Sequence, residues 1–301
     1  MTVTEEILSL KKEKDAIILA HYYVPPEVQK IADYIGDSFY LSKVAASTDA
    51  KVLVFCGVSF MGESAKILNP DKTVLMPDAE ADCPMAHMAD IEKIKELRSR
   101  YEDLAVVCYI NSTAELKSHS DVCVTSANAL KIVKALPNRH ILFIPDENLG
   151  RYIASLVPEK HFIFNDGRCP VHAKVTADAV KREKEAHPEA ELLVHPECVP
   201  EVLALADYIG STSGIIQYAT KSDSASFIIC TEEGVLHELK EQNPTKIFYM
   251  AEDSFRCPDM KKITLEKVLA VLKDGSDPVE VDPGLADASM PPLKRMLELS
   301  K

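Results

Sequence analysis

Residues 17–45 read IILAHYYVPPEVQKIADYIGDSFYLSKVA, and the same pattern returns twice. Residues 105–133 read AVVCYINSTAELKSHSDVCVTSANALKIV, and residues 192–219 read LLVHPECVPEVLALADYIGSTSGIIQYA. The first and third copies share ADYIG. Each copy opens with a short apolar run, passes a polar turn and a helical stretch, and reaches a second short run (DYIG, DVCV, DYIG). A small hydroxyl residue then opens another helix. Self-similarity at a fixed period is the mark of a repeat architecture.

The register extends beyond the quoted stretches. His21, Tyr109 and His195 match, as do Ser38, Ser126 and Thr212, with steps of 88 and 86 residues in both sets. A third apolar run follows in each copy (KVLVFCG, HILFIPDENLG, SFIICTEEG), then a helical stretch, then a fourth run (TVLMP, HFIFND, KIFYM). Each copy closes on a cysteine followed by proline: Cys83-Pro84, Cys169-Pro170 and Cys257-Pro258. Short apolar strands alternating with amphipathic helices predict βαβ units and parallel sheets. Runs as apolar as VLVF, ILFI and SFII suit strands buried on both faces. The expected fold is therefore α/β, with three similar three-layer α/β/α domains related by pseudo-threefold symmetry. The units are predicted at 1–84, 85–170 and 171–274, with linking helices near 88–101, 172–187 and 259–273. The segment 275–301 is predicted to return onto the first unit.

Three cysteines at one repeat position mean more than eight scattered ones. Pseudo-threefold packing would carry Cys83, Cys169 and Cys257 to a common point. Each also follows a strand's carboxyl end, where open α/β sheets place ligands. Three soft thiolates suit an iron–sulfur cluster or zinc. A cubane cluster normally takes four cysteines, so three would leave one iron open to substrate. Cys56, Cys108 and Cys230 lie in apolar runs, where core packing explains them. The chain contains no C-x-x-C pair.

The polar markers fall in the same register. Ser38, Ser126 and Thr212 open helices, whose free N–H groups and dipole favour anions. Any one is explained by helix capping, but three aimed at one axis would line a pocket for anions. The ends of the first strands supply His21, Tyr23, Tyr109, Asn111, His195 and Glu197, a set fit for acid–base and hydrogen-bonding work. A shifted pKa would let Glu197 act as a base.

Composition narrows the function classes. Of 301 residues, 47% are hydrophobic and 27% charged, as in ordinary globular proteins, and the formal net charge is −13. That balance argues against a nucleic-acid partner, which asks for a basic face. No stretch is long and apolar enough for a membrane helix. The opening MTVTEEILSLKKEKD is charged and lacks the apolar core of a secretory signal, so a cytoplasmic location is expected.

These residues resemble the quinolinate synthases over essentially the whole chain. The matching motifs are AHYY at 20–23, DYIGDS at 33–38, KILNPDK and ADCPMA within 66–86, YINSTAE at 109–115 and TSANA at 125–129. PDENLG at 145–150, GRCPVH at 167–172, HPEC at 195–198, GSTSG at 210–214 and the single Cys257 complete them. The resemblance implies a [4Fe-4S] cluster on Cys83, Cys169 and Cys257. It also implies condensation of iminoaspartate with dihydroxyacetone phosphate to quinolinate, phosphate and water in de novo NAD synthesis. An L-aspartate oxidase or dehydrogenase would supply the iminoaspartate. Catalysis would fall to Tyr23, Glu197, His21 and His195, and substrate binding to His21, Ser38, Tyr109, Asn111, Ser126, His195, Glu197 and Thr212. The third ligand lies in FRCPDMKK, so the chain resembles the short form, without the cysteine-rich stretch of longer relatives. Another open-iron hydro-lyase, a non-catalytic iron–sulfur carrier, a zinc enzyme and a metal-free sugar-phosphate binder are the competing expectations.

Overall fold

The computed structural model describes residues 2–252, 255–275 and 278–301. The first unit holds β1 (Ala16–His21), β2 (Tyr34–Gly36), β3 (Val52–Cys56) and β4 (Thr73–Leu75). The second holds β5 (Leu104–Tyr109), β6 (Val122–Val124), β7 (His140–Ile144) and β8 (His161–Phe164). The third holds β9 (Glu191–Val194), β10 (Tyr208–Ile209), β11 (Ser226–Cys230) and β12 (Ile247–Met250). Each set forms one four-stranded parallel sheet in the order second–first–third–fourth. The chain runs outward from the first strand, then crosses back to its other side. That reversal puts a topological switch point between the first and third strands, where such sheets bind ligands beyond the carboxyl ends.

Strand residues pack on both sides of each sheet. In the third unit, Leu192, Val194, Ile228 and Cys230 join one core cluster, and Leu193, Phe227 and Ile229 join another. Successive side chains point to opposite faces, so a strand covered on both must be apolar throughout. The first and second units share one continuous core.

The repeat reaches individual hydrogen bonds. Asp33, Asp121 and Asp207 each stand just before the second strand. Their carboxylates accept the N–H of Ile18 (2.8 Å), Val106 (2.7 Å) and Leu192 (2.7 Å). Each carboxylate also meets a cation from the preceding helix: Lys11 at 2.8 Å, Arg98 at 2.9 Å and Lys184 at 3.0 Å. Lys72, Lys160 and Lys246 each donate to two carbonyls at or just beyond the end of a helix: Ala45 and Thr48, Leu136 and Asn138, Ala219 and Ser222. A cation there satisfies orphan carbonyls and meets the negative end of the helix dipole.

Three expectations need correction. Ser38 and Thr212 are the first residues inside helices Ser38–Ser47 and Thr212–Lys221, and the caps are Asp37 and Ser211. In the second unit the helix begins only at Ala129, because the Asn128 Oδ1 accepts from the Thr125 N–H and holds 125–128 in a turn. The linking helices are also shorter than expected. A 3-10 turn follows each Cys-Pro (Pro84–His87, His172–Lys174, Met260–Lys262) before helices Ile91–Arg100, Ala177–Ala186 and Leu265–Asp274 begin. Finally, the tail does not return to the first unit alone. The Val279 N–H donates to Val74 O. Helix Pro283–Leu299 then lies against Ser59–Leu68 of the first unit and Ala114–Ser118, β6 and Ala129–Ala135 of the second. Ser289, Pro292, Leu293 and Met296 form its buried face, and Arg295 donates to Asp121 O. Residues 276–277 of that segment lie outside the described residues.

Candidate active site

One cavity is lined by all twelve residues that the sequence singles out. His21 and Tyr23 reach it from the exit of β1, Tyr109 and Asn111 from β5, and His195 and Glu197 from β9. Ser38, Ser126 and Thr212 enter from the second-strand exits, and Cys83, Cys169 and Cys257 follow the fourth strands. Among the described residues the lining contains no lysine or arginine. An anion held here would rest on hydroxyls, amides and backbone dipoles. Among the described residues the Asn111 Oδ1 and the Thr125 hydroxyl are buried without a protein partner, and both residues line this space. Such groups cost free energy unless a ligand or water satisfies them.

A continuous hydrogen-bonded chain crosses the cavity wall. The Tyr23 hydroxyl lies 2.7 Å from Thr212 Oγ1 and 2.8 Å from Thr231 Oγ1. Thr231 Oγ1 is 2.9 Å from His172 Nε2, and His172 Nδ1 is 2.8 Å from Glu197 Oε2. The same Nδ1 lies 3.2 Å from Cys169 Sγ. His195 Nδ1 stands 3.8 Å from Glu197 Oε2, and its Nε2 stands 3.3 Å from Ser126 Oγ. The chain thus joins a phenol to a carboxylate through one hydroxyl and one imidazole.

Burial sorts these groups into proton donors and acceptors. It pushes the Tyr23 hydroxyl well above its ordinary value, and Glu197 adds to the shift, so Tyr23 keeps its proton at neutral pH. Tyr109 is raised in the same way, by burial and then by Glu197. Burial lowers His21 and His195 to about 3, leaving both imidazoles neutral. Burial would raise Glu197, but the adjoining His172 outweighs it and holds the carboxyl below its ordinary value. Glu197 is therefore the ionised acceptor of the set, and Tyr23 is the buried donor.

The cysteines are the candidate metal ligands. Burial pushes Cys83 up to about 12, and raises Cys169 and Cys257 as well. A soft cation is what would make such thiols thiolates, since metal binding displaces their protons. Among the described residues, the donors that converge within 4.8 Å of one another are Cys169, His172 and Glu197, and not the three cysteines together. A cubane places each cysteine on a separate iron, so its thiolates stand apart, whereas a single ion needs its ligands in mutual contact. Three cysteines that line one cavity without all meeting within that distance fit a cluster.

His172, Thr231, Asp146, Glu232 and Lys261 are parts of the site that the sequence reading did not single out. The signal for His172 was an absence of repetition. Its repeat partners are Ala86 and Met260, three residues after their cysteines. Thr231 likewise matches Gly57 and Pro145. A search for repeated residues favours the common scaffold and passes over positions where one copy alone carries a polar group. Lys261 bonds the Glu232 carboxylate at 2.7 Å and the Tyr23 carbonyl at 2.7 Å, tying the third unit to the first.

Comparison with known proteins places this chain among relatives. The family model described as quinolinate synthetase A protein matches residues 5–298. A protein named quinolinate synthase from Clostridioides difficile (strain 630) is 52% identical over 299 residues, covering 99% of this chain and 98% of the relative. Another of that name from Fusobacterium nucleatum is 54% identical over 296 residues, covering 98% and 99%. A third from Caldicellulosiruptor saccharolyticus is 50% identical over 298 residues, covering 99% and 98%.

Proposed function

Because the chain belongs to the quinolinate synthetase A protein family, we propose that it makes quinolinate from iminoaspartate and dihydroxyacetone phosphate, releasing phosphate and water in de novo NAD synthesis. The observation that carries this reading is the sharing of one cavity by three repeat-equivalent cysteines and a buried acid–base chain. Cys83, Cys169 and Cys257 would hold a [4Fe-4S] cluster with one iron left open. When bound, the cluster supplies a Lewis acid that polarises a substrate oxygen, an effect of several kcal/mol on a developing charge.

The side chains do the rest. Glu197, ionised and seated against His172, takes a proton from substrate carbon or nitrogen. Tyr23 delivers one to a departing oxygen, and Thr231 and His172 connect the two sites, so a proton taken at one end can be returned at the other. Neutral His21 and His195 orient intermediates through hydrogen bonds without adding charge. Ser38, Ser126 and Thr212 hold carboxylate and phosphate oxygens. Tyr109 and Asn111 grip the closing ring, and the unpartnered Asn111 Oδ1 asks for an N–H or O–H on the ligand. The units 1–84, 85–170 and 171–274 close around the reactive intermediates and exclude water from them. The reaction runs in the cytoplasm, with iminoaspartate supplied by oxidation of L-aspartate. Among the described residues no helix is long and apolar enough to cross a membrane.

The close grouping of Cys169, His172 and Glu197 favours one second reading, a mononuclear zinc enzyme. Iron and sulfide analysis of anaerobically purified protein separates the two. About four of each per chain is expected for the cubane, lost in Cys83→Ala, Cys169→Ala and Cys257→Ala and kept in Cys56→Ala, with quinolinate formed by the parent. Stoichiometric zinc, or a cluster that survives those three replacements, would refute the cluster assignment.

A further inference from the structure

Positions 58, 146 and 232 are repeat equivalents, again 88 and 86 residues apart, and each stands where the third strand ends. Two of them carry buried carboxylates. Asp146 Oδ2 accepts the Cys169 N–H at 3.0 Å, while its Oδ1 accepts the Leu149 N–H at 2.7 Å. Glu232 Oε1 accepts the Cys257 N–H at 3.0 Å, while its Oε2 accepts the Gly234 N–H at 2.7 Å. One carboxylate therefore ties the start of a helix to the loop that presents a cysteine. The first unit has Val58 at this position, yet the tie is still made. Asp82, next to the cysteine, accepts the Cys83 N–H at 2.8 Å through the same Oδ1 that receives the Ser59 hydroxyl.

A backbone bond lies beneath each tie. The Ser59, Glu147 and Glu233 N–H groups donate to Ala81 (2.8 Å), Gly167 (2.7 Å) and Phe255 (2.8 Å), each two residues before its cysteine. Beyond each proline the chain turns back on the cysteine carbonyl: the Ala86, Ala173 and Lys261 N–H groups donate to Cys83 O (2.9 Å), Cys169 O (2.9 Å) and Cys257 O (3.3 Å). Each cysteine thus has one surrounding, made three times: a carboxylate on its own N–H, then a turn closed on its carbonyl. The first unit reaches it with a different residue. A tie rebuilt from another position points to the cysteine loop as the thing being held, since strand packing alone is served by Val58.

We propose that Asp82, Asp146 and Glu232 are positioning residues that fix the cysteine loops so that three thiols from three units keep a common geometry toward the cluster. The inference rests on the cluster reading above. Groups that orient metal ligands from behind are typically worth 10–100-fold in metal retention.

The test uses the anaerobic, cluster-loaded protein challenged with a ferrous chelator. Asp146→Ala, Glu232→Ala and Asp82→Ala are each expected to release iron roughly tenfold faster than the parent. Asp82→Asn keeps one oxygen for the two donors that share Oδ1 and is expected to restore slow release, whereas Asp146→Asn and Glu232→Gln keep one acceptor of two and are expected to restore it only in part. Amide exchange followed by mass spectrometry gives a second readout. The cysteine N–H should lose protection only in the unit whose carboxylate was removed. The Asp82 side chain is 44% exposed, so its alanine variant is expected to fold even if the two core variants do not. Parent-like release and exchange in Asp82→Ala, or an Asp82→Asn variant that fails as badly as alanine, would overturn the proposal. A parent without iron or sulfide refutes the cluster reading instead, and amide exchange in that protein still decides whether the carboxylates hold the loops.

Discussion

His172 makes two contacts from Nδ1 and one from Nε2, reaching Glu197, Cys169 and Thr231 with a side chain that is itself buried. It can carry a proton between Glu197 and Thr231 because each imidazole nitrogen can donate or accept in turn. Tyr23 ends this chain with a hydroxyl held between two threonines. Tyr23→Phe removes only that oxygen and leaves the ring packed. Turnover is expected to fall about 10²–10⁴-fold, the usual worth of a general acid, while iron content stays at the parent level. Steady-state rates alongside iron analysis check this, and parent-like turnover would remove Tyr23 from the chemistry.

At the scale of elements, the aspartate before each second strand shows how a short strand is held. β6 spans only Val122–Val124 and β10 only Tyr208–Ile209, too few residues to be stable on ladder bonds alone. The carboxylates of Asp33, Asp121 and Asp207 each accept an N–H from the first strand, and a partly exposed cation adds little beyond geometry. Asp121→Ala leaves the Val106 N–H without its acceptor inside a fully buried strand. The expected cost is about 1–3 kcal/mol, read from the denaturant midpoint. Asp223→Ala, at an exposed position, is expected to stay within about 0.5 kcal/mol. Equal midpoints for the two variants would show that the carboxylate is dispensable.

At the scale of the molecule, the first and third units meet backbone to backbone at Gly234. A Cβ on Gly234 would stand 2.6 Å from the Tyr22 carbonyl oxygen and 2.7 Å from Tyr23 Cα, both backbone atoms. Gln29 bridges the same seam, donating to the carbonyls of Tyr22, Val24 and Gly234. Gly234→Ala must therefore push the Tyr23 loop away from Thr231 and Thr212. A displacement of about 1 Å at a reacting group can cost on the order of 100-fold in rate. That loss is expected in kcat with the iron content unchanged, whereas an unaltered kcat would mean that the seam yields without moving Tyr23.

The sequence by itself determined the strands, their threefold repetition and the twelve residues that meet in the cavity. Those features are local or periodic: apolar runs of strand length, turn residues, and markers returning at steps of 88 and 86 residues. Resemblance to a known family then supplied the expected chemistry. Only the tertiary structure decided that the helix caps are Asp37 and Ser211, that the tail helix spans two units, and that His172 and Thr231 link Tyr23 to Glu197. A hydrogen bond between Tyr23 and Thr231 joins residues 208 positions apart. No spacing rule records such a pair, because the distance between them is set by how three sheets pack, and the residues that complete the chain are those in which the three copies differ.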